Sequence, residues 1–270
     1  MTKTKSVLLR VRPAPLAGII ATVCGMNKRR MVLTDSGRFF VDPISNFGER
    51  LLDGAFEPHM GTVLDRFLSP GGVFIDLGAN EGYFSVLASK IVGSKGSVIA
   101  IEPQSRLQDV IQTNLSANEC FNVRLLKCIV SDKTANMRIF LAPTTNTGSS
   151  SLFRPNKYHL PTQEIQSYAL GELLEKIGVD NCDLMKVDIE GAEYDVFMAA
   201  AEVLKKGILR NIALEYHPRI LMKRGLAPED LHRHMIENGY GLNKEFGPWV
   251  YTFGRPSDDV YPEEVRSFPQ

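Results

Sequence analysis

The chain is short of cysteine, has no excess of either charge and lacks the common nucleotide-binding signatures, and each shortage closes off a class of protein. Among its 270 residues only Cys24, Cys120, Cys128 and Cys182 are cysteine. None forms a C-x-x-C pair and no histidine stands beside one at zinc-finger spacing, so neither a structural zinc site nor a disulfide framework is indicated. They read as packed free thiols, which suits a reducing compartment, and a cytoplasmic location is the expectation. Lys plus Arg equals Asp plus Glu at 31 each. No global field therefore draws the chain to nucleic acid or to an anionic membrane. The apolar stretch Ala14–Met26 follows Lys3, Lys5, Arg10 and Arg12 and loosely imitates a signal peptide. Prolines interrupt its start, Lys28-Arg29-Arg30 follow at once, and it falls short of the roughly 20 residues that span a bilayer. It is expected to pack on the domain instead.

What is present is an alternation of strand and helix signals. Two β-prone runs flank Asp35-Ser36-Gly37, a hairpin signal. Met60, Val63, Leu64, Phe67 and Leu68 mark an amphipathic helix over Pro58–Leu68, stopped by Ser-Pro-Gly-Gly. Strands follow at Val73–Leu77, Ser97–Ile101, Val123–Val130, Asp183–Asp188 and Ile208–Tyr216. Helices are read at Tyr83–Val92, Ser105–Glu119, Ala169–Ile177, Ala192–Lys205 and Pro228–Asn238. Tyr240–Lys244 and Trp249–Phe253 read as an antiparallel pair, and Met137–Leu141 as an extra strand. Pro143–Ser151, rich in Thr, Ser and Gly, reads as a flexible loop. Such alternation predicts an α/β, Rossmann-like fold, a mostly parallel sheet with helices on both faces. The predicted organisation is an N-terminal extension over 1–70 (hairpin plus helix) packed on the core, a catalytic domain over 71–256 and a loose tail over 257–270.

The segment Asp76-Leu-Gly-Ala-Asn-Glu-Gly-Tyr-Phe-Ser85 lies where a strand turns into a helix. Gly78 and Gly82 leave room for close backbone approach, and free N–H groups at a helix start can hold an anionic group. Its Gly-x-x-x-Gly spacing is neither the dinucleotide G-x-G-x-x-G nor a Walker A motif, which weakens NAD and ATP readings. Glu102 ends the next strand, 26 positions beyond Asp76. A carboxylate there can accept both hydroxyls of a ribose, so the pair points to an adenosyl ligand carrying an amino acid.

Asp76–Ser85, Ile99–Pro103, Val130–Lys133 and above all Lys186-Val-Asp-Ile-Glu-Gly-Ala-Glu193 resemble the FkbM family of S-adenosylmethionine-dependent methyltransferases. Ser149-Ser-Ser-Leu152 and Glu215-Tyr-His-Pro218 are similar to further family features, and the likeness runs over about residues 73–253. The resemblance implies a seven-stranded class I methyltransferase fold, S-adenosylmethionine as cofactor and transfer to a hydroxyl oxygen of a small molecule or glycan. It places Asp76, Gly78 and Asn80 around the methionine part, with Glu81, Gly82 and Phe84 in the same turn. It puts Glu102 on the ribose, Ser131-Asp132 near the adenine, and Asp188 near the transferred methyl.

Methyl transfer to a hydroxyl needs alignment and a proton acceptor. Lys186 and Asp188 share a strand face, and Glu190 at the following turn is the first candidate for general base or substrate anchor. His217, two residues after Glu215, is the second. Glu193 fits equally well as a charge that complements a helix N-terminus. With Asp188, Glu215 and His217 can also assemble a divalent-metal site; the reading made here is catalysis without one. Ser149–Ser151, Phe153, Tyr158 and His159 belong to a segment expected over the crevice, whereas His59, His232 and His234 have no ligand partner by spacing. No amino-nitrogen Asn-Pro-Pro-Tyr motif and no basic, aromatic-interleaved patch appear. N-methylation, nucleic-acid modification and ligand binding without turnover are thus the alternatives to a hydroxyl methyltransferase.

Overall fold

The structure, a computed structural model, describes residues 28–54, 56–153, 160–246 and 249–256. Ala14–Met26 with Cys24, the loop residues Tyr158 and His159, and the tail 257–270 lie outside the described residues. The hairpin signal is met by β1 (Arg30–Thr34) and β2 (Gly37–Val41), antiparallel with Thr34 opposite Gly37. Two helices follow, α1 (Asn46–Leu52), which the sequence reading did not separate, and α2 (Pro58–Phe67).

The central sheet is built from β3 (Val73–Leu77), β4 (Ser97–Ile101), β5 (Val123–Leu126), β9 (Leu184–Val187), β10 (Asn211–Leu214), β11 (Tyr240–Leu242) and β12 (Val250–Phe253). Its order is β11-β12-β10-β9-β3-β4-β5, parallel except for β12, which runs antiparallel to both of its neighbours. Period-two alternation sorts each strand onto two faces. Ile75, Leu77, Met185 and Val187 pack with α5 (Leu170–Ile177), α6 (Glu193–Met198), α7 (Ala201–Lys205) and α9 (Pro228–Glu237). Phe74, Val98 and Leu184 face α2 and α3 (Tyr83–Val92). Beside them α4 (Ser105–Ala117) packs with Phe39 and Val41 of the hairpin. Asp76 and Lys186 belong to this second face, side by side in register; two ionisable groups in an apolar layer mark the site.

Four expectations need correction. The run Val123–Val130 is two strands: β5 ends at Leu126, and β6 (Ile129–Ser131) turns away into a separate sheet of order β6-β8-β7. Its other members are β7 (Ala135–Phe140) and β8 (Thr162–Ala169). β8 went unread because only Ile165 and Ser167 are buried there, too few apolar positions to register as a strand. The helix read over Ala192–Lys205 is interrupted at Ala199-Ala200, giving α6 and α7. Thr144–Ser149 is not a flexible loop but a 3-10 turn tied down by side chains, and α8 (Pro218–Lys223) starts directly on Pro218. Cys120, Cys128 and Cys182 are buried free thiols, as their spacing predicts. No helix among the described residues is long and apolar enough to cross a membrane.

Candidate functional site

At the carboxyl end of β3 the chain turns through Gly78, with φ +88°. A Cβ there would overlap the carbonyl oxygen of Asp188. Glycine is thus demanded by the neighbouring strand's backbone, a stricter reason than approach to a ligand. Gly82 is favoured by its left-handed φ of +80°, and a Cβ there would also crowd Ile111 of α4, at 3.0 Å from its Cγ2. Between them Asn80 adopts the left-handed region (φ 48°) and donates its backbone N–H to Glu102 Oε2 at 2.8 Å. Glu102 Oε1 accepts from the Gln104 N–H at 3.0 Å. Burial drives the Glu102 carboxyl up to about 7 against the pull of these donors.

Two adjoining compartments open here. A narrow slot of about 60 Å³ runs past Glu102 between Ile129, Val130 and Leu152. A wider one of about 370 Å³ reaches Phe84, Lys186 and Glu57. Gly78, Asn80, Asp188 and Glu190 line both. The 144–152 segment roofs them: Thr147 Oγ1 donates to Asn80 Oδ1 at 2.9 Å and Ser151 Oγ to the Glu190 carbonyl at 2.8 Å.

Several residues expected at the cofactor lie elsewhere. Asp76 is buried behind the turn, where its Oδ2 accepts from Ser85 Oγ at 2.6 Å, and it lines neither compartment. Nor does Gly82. Glu81 borders the wider compartment, but its carboxylate is held in bidentate fashion by Arg29 at 2.7 and 2.9 Å. Ser131 hydrogen-bonds the Lys133 carbonyl and Asp132 is exposed, both off the slot. The chain's departure from the central sheet after Leu126 brings Cys128–Val130 to the wall in their place.

The charged block forms one cluster. Lys186 Nζ lies 3.4 Å from Asp188 Oδ2 and 5.4 Å from the centre of the Phe84 ring. Burial alone would lower its pKa, but Asp188, Asp76 and Glu57 outweigh burial and keep it charged. Glu190 occupies the left-handed region at φ 51°, a strained state for a side-chain-bearing residue and one that clusters at functional turns. Burial, reinforced by Asp188 and Glu193, pushes its carboxyl up to about 7, although His217 opposes this. Behind it, His217 Nε2 stands 3.6 Å from Glu190 Oε2 and 3.8 Å from Asp188 Oδ1, and Nδ1 donates to Glu193 Oε1 at 2.8 Å. Burial would lower the His217 pKa, yet the bond to Glu193 and the surrounding carboxylates carry it up to about 9.

Glu193 does not merely complement a helix end: it is buried and also accepts from the N–H groups of Ile189 and Gly191. Asp188, Glu190 and His217 each offer a ligand atom within 4.8 Å of the others, a spacing that a divalent cation accepts and that the His217 proton also satisfies. Glu215 follows the end of β10 and faces Lys186 across the wider compartment. Missing from the sequence reading were Glu57 and Arg50, brought by α1 and α2. Neither carries a signal in the sequence; in the structure Glu57 stands out as a non-glycine residue at φ 40° beside Pro58.

The family model described as the methyltransferase FkbM domain matches residues 76–242. The chain is 25% identical over 212 residues to the methyltransferase sdnD of Sordaria araneosa, covering 67% of this chain and 78% of that one. It is 34% identical over 137 residues to ribosomal RNA large subunit methyltransferase E of Acinetobacter baylyi, and spans 59% of that relative's length. Among solved structures it is similar to the FkbM methyltransferase of Methylobacillus flagellatus KT, with TM-score 0.44 and 14% identity over 89% of this chain and 60% of that one. Sheet order, glycine turn and strand-end acids define a class I methyltransferase that uses S-adenosylmethionine. Within that class the chain belongs to the FkbM family.

Proposed function

We propose that the chain methylates a hydroxyl oxygen of a small molecule, with Glu190 as the proton acceptor. The observation that carries this reading is the placement of Glu190: on the wall common to both compartments, with a carboxyl near neutrality and His217–Glu193 behind it. When bound, S-adenosylmethionine supplies a methyl carbon on a positively charged sulfur, open to in-line displacement. The donor set fits that cofactor. Buried Glu102 suits the ribose hydroxyls, Ile129 and Val130 the adenine, and Gly78 and Asn80 the methionine part, while Asp188 and Glu190 favour a cationic sulfur.

Glu190 takes the acceptor's hydroxyl proton as that oxygen becomes the nucleophile. Glu193 fixes the ring of His217, whose charge holds the Glu190 carboxylate in place. Lys186, kept charged, orients Asp188 from the opposite side. The lysine and arginine lining the opening are already engaged, Lys186 with Asp188 and Arg50 with Glu57, which disfavours a polyanionic acceptor such as RNA despite the ribosomal RNA relative.

Isotope-labelled methyl transfer from the cofactor tests the reading. Product is expected from alcohols and not from matched amines or RNA oligonucleotides, and transfer to RNA would overturn it. Glu102→Ala is expected to weaken S-adenosylhomocysteine binding in calorimetry by on the order of tenfold to a hundredfold, the worth of a hydrogen bond to a charged group. The melting transition should stay cooperative; unchanged affinity would remove the ribose assignment.

A further inference from the structure

Beyond Lys186 the wider compartment adjoins a third cavity, of about 710 Å³. The two share Arg50, Glu57, Lys186 and Glu215, which together form a charged gate. Past that gate the lining turns mostly apolar, with His59, Thr62 and Glu245 at exposed positions. Met60 and Val63 of α2 face Ala213 of β10 and Val250 of β12, Phe246 closes one side, and Trp249 borders the space from just ahead of β12. Trp249 is stacked on Tyr216 with ring centres 4.2 Å apart, and Phe246 stands edge-on to Phe67 at 5.2 Å. Both rings are therefore held in place rather than free to collapse into the space. The volume falls in the range of small-molecule pockets and is far above that of a packing void.

Charge and polarity together narrow the occupant. The lysine and arginine of the gate are already engaged, Lys186 with Asp188 and Arg50 with Glu57. Beyond it no lysine or arginine among the described residues lines the cavity, so a phosphodiester chain or an acidic molecule finds no free lysine or arginine there. A free sugar would leave its ring of hydroxyls against apolar walls, and each unpaired polar group there carries a desolvation penalty. A carbon skeleton loses nothing at those walls and gains from leaving water.

We propose that the third cavity seats the body of the methyl acceptor, and that this acceptor is an uncharged alcohol on an apolar carbon skeleton whose hydroxyl passes the gate toward Glu190. The proposal rests on the methyl-transfer reading and adds to it the substrate class. Phe246 acts as the specificity-determining surface.

Trp249 is the only tryptophan in the chain and borders this cavity, so intrinsic emission follows its occupancy without any turnover. The probes are 1-decanol, methyl glucoside and uridine monophosphate, each titrated into the full chain. Decanol alone is expected to change the Trp249 emission saturably. Phe246→Ala should weaken that binding by about tenfold, the loss of one aromatic contact, and leave S-adenosylhomocysteine affinity unchanged, which also certifies that the variant is folded. A saturable response to methyl glucoside or uridine monophosphate in preference to decanol overturns the proposal. So does decanol binding undiminished by Phe246→Ala. The two readings fail separately. Saturable decanol binding with no alcohol methylated sinks hydroxyl transfer and leaves the cavity assignment, whereas transfer to methyl glucoside with Trp249 silent does the reverse.

Discussion

Glu190→Gln is expected to bind S-adenosylhomocysteine as tightly as the natural chain and to lose turnover by a factor of about 10²–10⁴, the usual worth of a positioned general base. The amide matches the carboxylate in shape and cannot accept the proton. The backbone carbonyl of residue 190 still receives Ser151 Oγ, so the roof over the compartments keeps its anchor. The same assignment fixes a pH dependence. A base works as its carboxylate, and burial has raised this one to about 7. Accordingly kcat/KM for the acceptor at saturating cofactor, which reports the cofactor-loaded enzyme with Glu102 already engaged, should rise as pH increases through about 7 and level off above. In Glu190→Gln that rise should vanish along with the rate. Single-turnover transfer across a pH series measures both. Full activity in the variant would leave Glu190 as a strained turn residue and remove it as the base.

The second large effect concerns stability. Arg29→Met should destabilise the fold by about 3 kcal/mol, the low end for breaking a buried ion pair. The low end applies because the Arg29 side chain is 20% exposed whereas that of Glu81 is fully enclosed. Glu81 would be left as an uncompensated buried carboxylate. Its neighbours form a chain of contacts: Arg29 also donates to the Phe40 carbonyl, the Phe40 N–H to Asn114 Oδ1, and Asn114 Nδ2 to the Glu81 carbonyl. Hairpin, α4 and glycine turn are thus held by one network. The melting temperature should fall by roughly 6–12 °C, and adding Glu81→Gln should restore part of the loss, since the charge left behind is the source of the penalty. An unchanged transition would mean that water reaches Glu81 once Arg29 is gone.

What could be read from the chain beforehand follows from the range of the interactions. β3, β4 and β9 are short apolar runs bounded by turn residues, and the Gly78 turn, Glu102 and the Lys186–Asp188 pair lie within a few residues of those strand ends. Local periodicity was sufficient for them. Arg50 and Glu57 reach Lys186 only because α1 and α2 fold back across the sheet, over more than a hundred residues of chain, and no local pattern announces that. Glu81 looked like a cofactor contact because it sits in the turn; its partner Arg29 is 52 positions away. Glu193 looked like a helix-end charge, and its bond to His217 spans 24 positions. The apolar run through Cys128 and Val130 hid the point at which the chain leaves the central sheet, and so attention fell on Ser131 and Asp132, which lie off the slot. The family resemblance marked these turns but could not say which side chains in them were already engaged.

The walls of the three cavities are not independent. Asp188 and Glu190 belong to the first two, and Lys186 and Glu57 to the last two. Occupants that share a wall are thermodynamically linked: by whatever factor a bound cofactor alters acceptor affinity, the acceptor alters cofactor affinity by the same factor. The sign of that factor depends on charge. A cationic sulfur beside these carboxylates draws them toward ionisation, and loss of the methyl group removes that charge at the moment of reaction. With the cofactor seated there, the acid ring would hold the charged sulfonium more tightly than the neutral thioether left after transfer.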